Sequence, residues 1–288
     1  MPSQSIRDWL ALSLFMDSAG GSDSPAAIID KHGGAVTICR TDEIYCNGAE
    51  VTLPMTLVEE TAPSQPTIAP RPVSFEFDLF HQPGQEALGE VALRKLTYVA
   101  FDTETTGLNP SEGDEIIQIG AVRILNNRLL YNETIDQLVN PQRAVPKSSV
   151  AVHGIDPDLL PSQPLITDVL PKFHAFVTDS VLVAHNAAFD MRFLQLKEEE
   201  TGLRFDNPVL DTLLLSSVVH PNLAGHSLDA IAERFNIPII GRHTAFGDAL
   251  VTAEILLKLI PLLEAQGIMT LDDALRASIK SPFVKISY

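Results

Sequence analysis

Positive charge, sulfur and tryptophan are all scarce in this chain of 288 residues. Lys and Arg number 20 against 37 Asp and Glu, a formal net charge of −17. The deficit holds in both halves, 6 against 13 over residues 1–95 and 14 against 24 over residues 96–288. A broad basic face for tight, sequence-independent grip on duplex nucleic acid is therefore excluded. An enzyme acting on a polyanion with this balance needs bound cations, a few local basic residues or a tethering partner. The only cysteines are Cys39 and Cys46, too few for a metal site and read as free thiols in a cytoplasmic protein. No apolar run reaches the roughly 18 residues of a membrane span. The opening "MPSQSIRDWLALSLFMDS" has only Arg7 ahead of its short apolar patch and Asp8 inside it. It is a poor signal peptide and reads as a buried amphipathic helix. Hydrophobic residues at 45% and charged residues at 20% fit an ordinary soluble globular protein.

What is present falls into two regions. "TAPSQPTIAPRP", Thr61 to Pro72, carries four prolines and reads as an extended linker. It separates a small module over residues 1–60 from a larger domain over residues 96–288. The intervening "VSFEFDLFHQPG" is apolar enough to pack on a neighbour. From Leu96 the pattern predicts strands in "LTYVAFD", "EIIQIGAVRIL" and "RLLYNETIDQLVN", the last two joined by a turn at Asn126–Asn127. "ITDVLPKFHAFVTD" has helical spacing and "SVLVAH" reads as a short buried strand. A helix follows in "NAAFDMRFLQLKEEETG", with Asn186 as N-cap and Gly202 past its end. "HSLDAIAERFN" and "AFGDALVTAEILLKLI" are further helices, the latter stopped or kinked at Pro261. Strands first, two as a hairpin, then strands alternating with helices, predict an α/β fold: a mixed sheet flanked by helices.

The chemistry concentrates on acids. Asp102 and Glu104 end the first strand of this domain two residues apart, so both project from one face. Asp190 and Asp248 each lie in the first turn of a helix, and His243 precedes Asp248 by five residues. Strand ends and the helix starts beside them line a common crevice in open α/β sheets. Four carboxylates gathered there require cations, and hard oxygen ligands with open positions suit two Mg²⁺ or Mn²⁺ ions. Such a pair stabilises the attacking and leaving oxygens of a phosphoryl group. A neutral histidine can then accept the proton of the attacking water. Any one of these features alone is commonplace: paired acids are usually a solvated strand end, and an acid in a first helical turn usually serves the macrodipole.

Together, "FDTETTGL", "HNAAFDMRFL" and "HTAFGDALVTAEIL" resemble the three exonuclease motifs of the epsilon-type (DnaQ-like) proofreading exonucleases, the DEDDh group. The resemblance covers about residues 96–265. It implies an RNase H-like fold and hydrolytic release of nucleoside 5′-monophosphates from a 3′ end, with proofreading or repair as the setting. It also makes Asp102, Glu104, Asp190 and Asp248 the metal-binding acids and His243 the general base. "VHGI", Val152 to Ile155, places His153 beside the site, and "LDT" at Leu210–Thr212 and "HSLDAIAERFNIP" follow the family's order. Thr105, Thr106, Gly107 and Leu108 are expected to present backbone N–H groups and an apolar wedge to the terminal nucleotide. Phe189 either stacks on a base or packs in the core, and Arg192 and Arg242 either reach phosphates or are solvated charges. The implied ligand is a single-stranded nucleic-acid 3′ end, DNA ahead of RNA. An exoribonuclease of the same superfamily stays open, because contacts to a 2′-hydroxyl are not legible. A non-catalytic signalling or scaffold protein is the alternative of another class. A polymerase partner is implied by resemblance alone. "QGIMTL", Gln266 to Leu271, is loosely similar to a sliding-clamp peptide, or is a helix end running into the next helix.

"AAIIDKHGGAVTICRTDEIYCNGAEVTLPM", Ala26 to Met55, resembles the closing segment of the histidine-kinase-type ATPase domain: a helix ending in His-Gly-Gly, then two strands finishing in Leu-Pro. The helix and the glycine-rich lid that hold ATP in that family are missing, so the resemblance implies a shape, a small α+β module, and no kinase activity.

Overall fold

The computed structural model describes residues 88–281 except 224, and the backbone of four short strands nearer the N-terminus. The chain divides into two compact units, Met1–Gln65 and Pro66–Tyr288. In the first, β1 (Phe15–Met16) pairs antiparallel with β2 (Ser22–Asp23), and β3 (Ala35–Arg40) with β4 (Asn47–Thr52). The latter pair runs from Ala35 opposite Thr52 to Arg40 opposite Asn47, the two strands expected after His-Gly-Gly. The expected helices of this module, the proline-rich linker and the packing segment after it lie outside the described residues.

The second unit is built on a five-stranded sheet in the order β7-β6-β5-β8-β9. β5 (Tyr98–Thr105), β6 (Ile116–Leu125) and β7 (Arg128–Leu138) form an antiparallel meander. Asn126 and Asn127 turn β6 into β7 with φ of 51° and 60°. Asparagine tolerates that left-handed pair, which matches the twist of a two-residue hairpin. β8 (Val181–Ala184) and β9 (Val209–Asp211) run parallel to β5. The helices are α1 (Lys147–His153), α2 (Ile166–Val177), α3 (Ala187–Leu196), α4 (Glu198–Thr201), α5 (Thr212–Val219), α6 (Leu228–Arg234), α7 (Ala245–Ala265) and α8 (Leu271–Ile279).

Alternation along β5 divides the core. Tyr98 and Ala100 face a cluster built with α5, α6, α7 and α8, including Leu256, Leu259 and Leu275. Val99 and Phe101 face a second cluster built with α2 and α3, including Phe173, Phe189 and Phe193. β5 is buried along its whole length, as a central strand covered on both faces should be. The period of two therefore assigns Asp102 and Glu104 to the α7 face and Thr103 to the α3 face.

Three local expectations change. α7 continues through Pro261 to Ala265. The proline removes one N–H near the helix end, while fully buried Leu259, Ile260 and Leu263 keep the last turn on the core. The helix expected from Asn186 to Gly202 breaks at Lys197, whose Nζ reaches Glu115 at 2.7 Å. Asn186 precedes α3 in the left-handed region (φ 62°), and the amides of Asn186 and Ala187 donate to the Asp211 carboxylate at 3.1 and 3.0 Å. "QGIMTL" joins α7 to α8. Thr270 and Asp273 form a capping box there, and Leu271 is wholly buried in the core. That is the helix junction, and its leucine is unavailable to a partner.

Candidate active site

The α7 face of β5 and the start of α7 bring three acids together. One carboxylate oxygen each from Asp102, Glu104 and Asp248 lies within 4.8 Å of the others, and all three residues are buried. Two features let α7 come this close. Gly120 is the cross-strand partner of Asp102 on β6. A Cβ on it would stand 2.1 Å from the backbone of Ala245 and Phe246, so only glycine admits the helix end. Gln118, the partner of Glu104, accepts the Ala245 amide on Oε1 at 3.1 Å and donates through Nε2 to Asp136 at 2.7 Å. The α7 start is thereby fixed against the strand at the register of both acids. A bulge in the β5–β6 pairing between Glu104 and Thr105 then re-aims the chain into the following loop.

Asp190 arrives from the opposite face. It sits in the first turn of α3, fully buried. Its Oδ1 accepts from Thr103 N at 3.0 Å and Thr103 Oγ1 at 2.6 Å. β5 is paired with β8 only as far as Ala100, so Asp190 takes up the strand edge beyond that pairing. It therefore stands beside the trio, joined to it through the residue between Asp102 and Glu104. The turn that delivers it hangs on Asp211, whose carboxylate also accepts from Leu213 at 2.8 Å. Burial pushes Asp211 up to about 6, against the lowering effect of its amide bonds. The "LDT" signature is thus the anchor of the Asp190 turn.

His243 lies in the loop before α7 at φ 62°, one residue ahead of the N-cap Thr244, which accepts from Gly247 at 3.1 Å. Gly247 itself packs so tightly that a Cβ there would stand 2.1 Å from the Gly241 carbonyl oxygen. Loop and helix start form one unit carrying both His243 and Asp248. Arg242, expected to reach phosphate or to be solvated, instead spans two acids. It forks onto Asp229 (2.7 and 3.0 Å) and donates through Nη1 to Asp248. Burial would lower its pKa, but its bonds to Asp229 and the charges of Asp248 and Asp102 outweigh that and raise it.

The loop after β5 is rigidly held. Thr106 N–H donates to the Glu115 carbonyl at 2.8 Å, so that group is committed to the fold rather than offered to a nucleotide. Thr106 Oγ1 accepts from Glu115 N at 3.0 Å and donates to Asp114 at 3.2 Å, and the Asp114 carboxylate also takes the Asn109 amide at 3.0 Å. The same carboxylate occupies the space of a Cβ on Gly107, 2.2 Å from where it would be. Thr105 Oγ1 closes onto the Gly107 carbonyl at 2.7 Å, and Leu108 is partly buried against the α3-side core. Ser149 of α1 donates to the Thr106 carbonyl at 2.6 Å, which brings the helix bearing His153 against this loop. His153 is buried, and burial lowers its pKa to about 4. Its Nδ1 accepts from Ile155 N at 3.0 Å, which leaves the proton on Nε2, an atom with no hydrogen-bond partner among the described residues. Phe189 is 3% exposed, with its ring 5.2 Å from that of Phe193. Its place is in the core and not on a stacking surface.

Hard, buried carboxylate oxygens at this spacing fit a divalent cation. Gln118, Gly120 and Asp114 are residues that sequence reasoning missed, and of these Gly120, a glycine inside an apolar strand, carried a local signal. Asp211 and Asp229 stand in the sequence only inside the "LDT" and "HSLDAIAERFNIP" signatures, and Arg242 reads there as a phosphate contact or a solvated charge, with no partner assigned.

Known proteins resemble this arrangement. The DNA polymerase III subunit epsilon-like protein of Rhodobacter capsulatus is 53% identical over 202 residues, covering 69% of this chain and 29% of that protein. The PolC-type DNA polymerase III of Caldanaerobacter subterraneus subsp. tengcongensis is 42% identical over 176 residues, covering 61% of this chain and 12% of the polymerase. This chain thus spans less than a third of the length of either relative. Among solved structures, exonuclease X in complex with 5′ overhanging duplex DNA superposes with a TM-score of 0.51 at 24% identity, covering 63% of this chain and 99% of that one. The nuclease domain of 3′hExo, a DEDDh family member bound to rAMP, does so with a TM-score of 0.51 at 16% identity, covering 62% and 95%. These two likenesses establish the RNase H-like sheet. The sequence pattern of the Exonuclease family (RNase_T) matches residues 99–256, more than half of the chain, and the chain belongs to that family.

Proposed function

We propose that this protein is a metal-dependent 3′–5′ exonuclease that releases nucleoside 5′-monophosphates from single-stranded DNA ends. The observation that carries the reading is the buried trio Asp102, Glu104 and Asp248, with His243 on the loop that starts the Asp248 helix. Asp102, Glu104 and Asp248 would hold one Mg²⁺ or Mn²⁺, and Asp190 would join Asp102 in holding a second. Such ions neutralise the charge gathering on a phosphoryl group during displacement. His243 accepts the proton of the attacking water, whose oxygen bonds to phosphorus as the bond from phosphorus to the 3′ oxygen breaks; the 3′ oxygen leaves with the bonding pair and takes a proton from solvent. The products are a 5′-monophosphate and a new 3′-hydroxyl end. Gly107 and Leu108 form the wall for the terminal nucleotide, and His153 offers its Nε2–H to it as a neutral donor.

DNA is favoured over RNA by the relatives, two DNA polymerase III proteins, and their names also support a replicative polymerase as partner. No helix among the described residues is long and apolar enough to cross a membrane. The test is digestion of 3′- and 5′-labelled single-stranded DNA, duplex DNA and RNA, with Mg²⁺, Mn²⁺ or EDTA. Single mononucleotides shed from 3′-labelled single-stranded DNA, only with metal, are expected. Loss of a 5′ label first, or equal rates in EDTA, would refute the reading.

A further inference from the structure

Arg242 holds an unusual place. Its guanidinium is rooted in Asp229 by two near-parallel bonds, Nε to Oδ1 at 2.7 Å and Nη2 to Oδ2 at 3.0 Å. Its remaining arm, Nη1, donates to Oδ2 of Asp248. The two ends differ in kind. The Asp229 side chain is 55% exposed, whereas that of Asp248 is 6% exposed. A fork onto a carboxylate is geometrically specific and hard to pull away. The contact to Asp248 is one bond and not a fork, and the charge of Asp248 is the more deeply buried.

The trio gathers three carboxylates within 4.8 Å, and like charges at that separation repel strongly in a low dielectric. A guanidinium on Asp248 that also feels the charge of Asp102 relieves part of that repulsion. A divalent cation drawing on the same oxygens would be repelled by the guanidinium, and binding that displaces an existing ion pair is weakened by the strength of that pair. We propose that Arg242 is the resident counter-cation of the acid trio, holding Asp248 in the metal-free protein and released from it by the metal while staying tethered to Asp229. The inference rests on the metal-binding reading of the trio. Its consequence is that the metal-free site stays folded and ordered, and that metal affinity is set lower than the acids alone would give. The sequence places Arg242 next to His243, so release of its arm from Asp248 takes place on the loop that carries the proton acceptor.

The experiment is calorimetric titration of the full chain with Mn²⁺, comparing wild type, Arg242→Gln and Arg242→Lys, with melting curves in EDTA and in saturating Mn²⁺. Arg242→Gln should bind Mn²⁺ on the order of tenfold more tightly than wild type, the size expected for losing one partly buried ion pair. Arg242→Lys, which keeps the charge, should remain near wild type. Arg242→Gln should melt lower than wild type in EDTA, and the gap should close with Mn²⁺. Unchanged or weaker Mn²⁺ affinity in Arg242→Gln would overturn the proposal. A second readout uses only the wild-type chain: the resonance of the Arg242 Nη1 protons, the arm on Asp248, should shift as Mg²⁺ is titrated in. A resonance that stays fixed while calorimetry records binding would also overturn it. No Mn²⁺ binding by wild type would sink the metal reading itself, and this inference with it. Equal affinities in wild type and Arg242→Gln would sink this inference alone.

Discussion

Replacing Gly120 by alanine inserts one methyl group between β6 and the first turn of α7. The added Cβ would stand 2.1 Å from Ala245 C and Phe246 N and 2.3 Å from the Ala245 carbonyl oxygen. All three atoms are backbone, so no side-chain rotation relieves the overlap. The helix start must retreat by on the order of 1 Å, and overpacking of this kind costs about 1–3 kcal/mol. The same retreat carries Asp248, three residues further on, away from Asp102, which faces Gly120 across the sheet. A displacement of about 1 Å at a reacting centre can cost on the order of 10²-fold in rate. Gly120→Ala should therefore remain folded, melt a few degrees lower, bind Mn²⁺ more weakly, and lose on the order of 10²-fold in kcat on single-stranded DNA. Gly120→Ala with wild-type melting temperature, Mn²⁺ affinity and kcat would refute the argument that close backbone approach builds the trio.

Other outcomes follow from the same geometry. His243→Ala should keep metal and substrate affinity yet lose roughly 10²–10⁴-fold in kcat, the range for a general base; an unchanged rate would return His243 to a loop residue. Asp114→Ala removes the carboxylate that joins Thr106 to Asn109, and should raise KM more than it lowers kcat. Equal effects on both would place Asp114 outside substrate binding. Burial holds the folded-state pKa of His153 down at about 4, below its ordinary 6.5. Its contribution to stability is therefore present above about pH 6.5 and lost as pH falls through about 4. His153→Phe should flatten the pH dependence of the melting temperature in that window. Deleting residues 1–65 should leave hydrolysis of short single strands largely intact, because every site residue lies beyond them; a soluble, metal-binding but inactive truncation would contradict this.

The acids were legible because their placement is local. Strand periodicity puts Asp102 and Glu104 on one face whatever the rest of the chain does, and a first helical turn beside a strand end fixes Asp190 and Asp248. The sheet was legible for the same reason: Asn126–Asn127 announces a hairpin, and "SVLVAH" a buried strand. What stayed hidden depends on pairings between distant segments. Gln118 becomes the seat of α7 only when Ala245 arrives 127 residues later. Asp211 caps the turn at Asn186, and Asp229 roots Arg242, through contacts that no local pattern encodes. Phe189 shows the converse: an aromatic beside Asp190 is open to stacking or to core packing in the sequence, and Phe193 and the α3-side core close over it. Pro261 reads as a stop or a kink because a proline's local effect is destabilising, and the buried Leu259, Ile260 and Leu263 on both sides of it carry the helix through.

The central claim is that the buried trio binds the metal on which hydrolysis depends. It is tested most directly by Asp102→Ala, measured for Mn²⁺ binding by calorimetry and for release of mononucleotides from 3′-labelled single-stranded DNA. The expected result is a folded protein, as stable as wild type in EDTA or more so because repulsion with Glu104 and Asp248 is relieved. It should have lost the tight Mn²⁺ site and all measurable turnover. Near-normal exonuclease rate in Asp102→Ala, or wild-type Mn²⁺ affinity, would contradict the account.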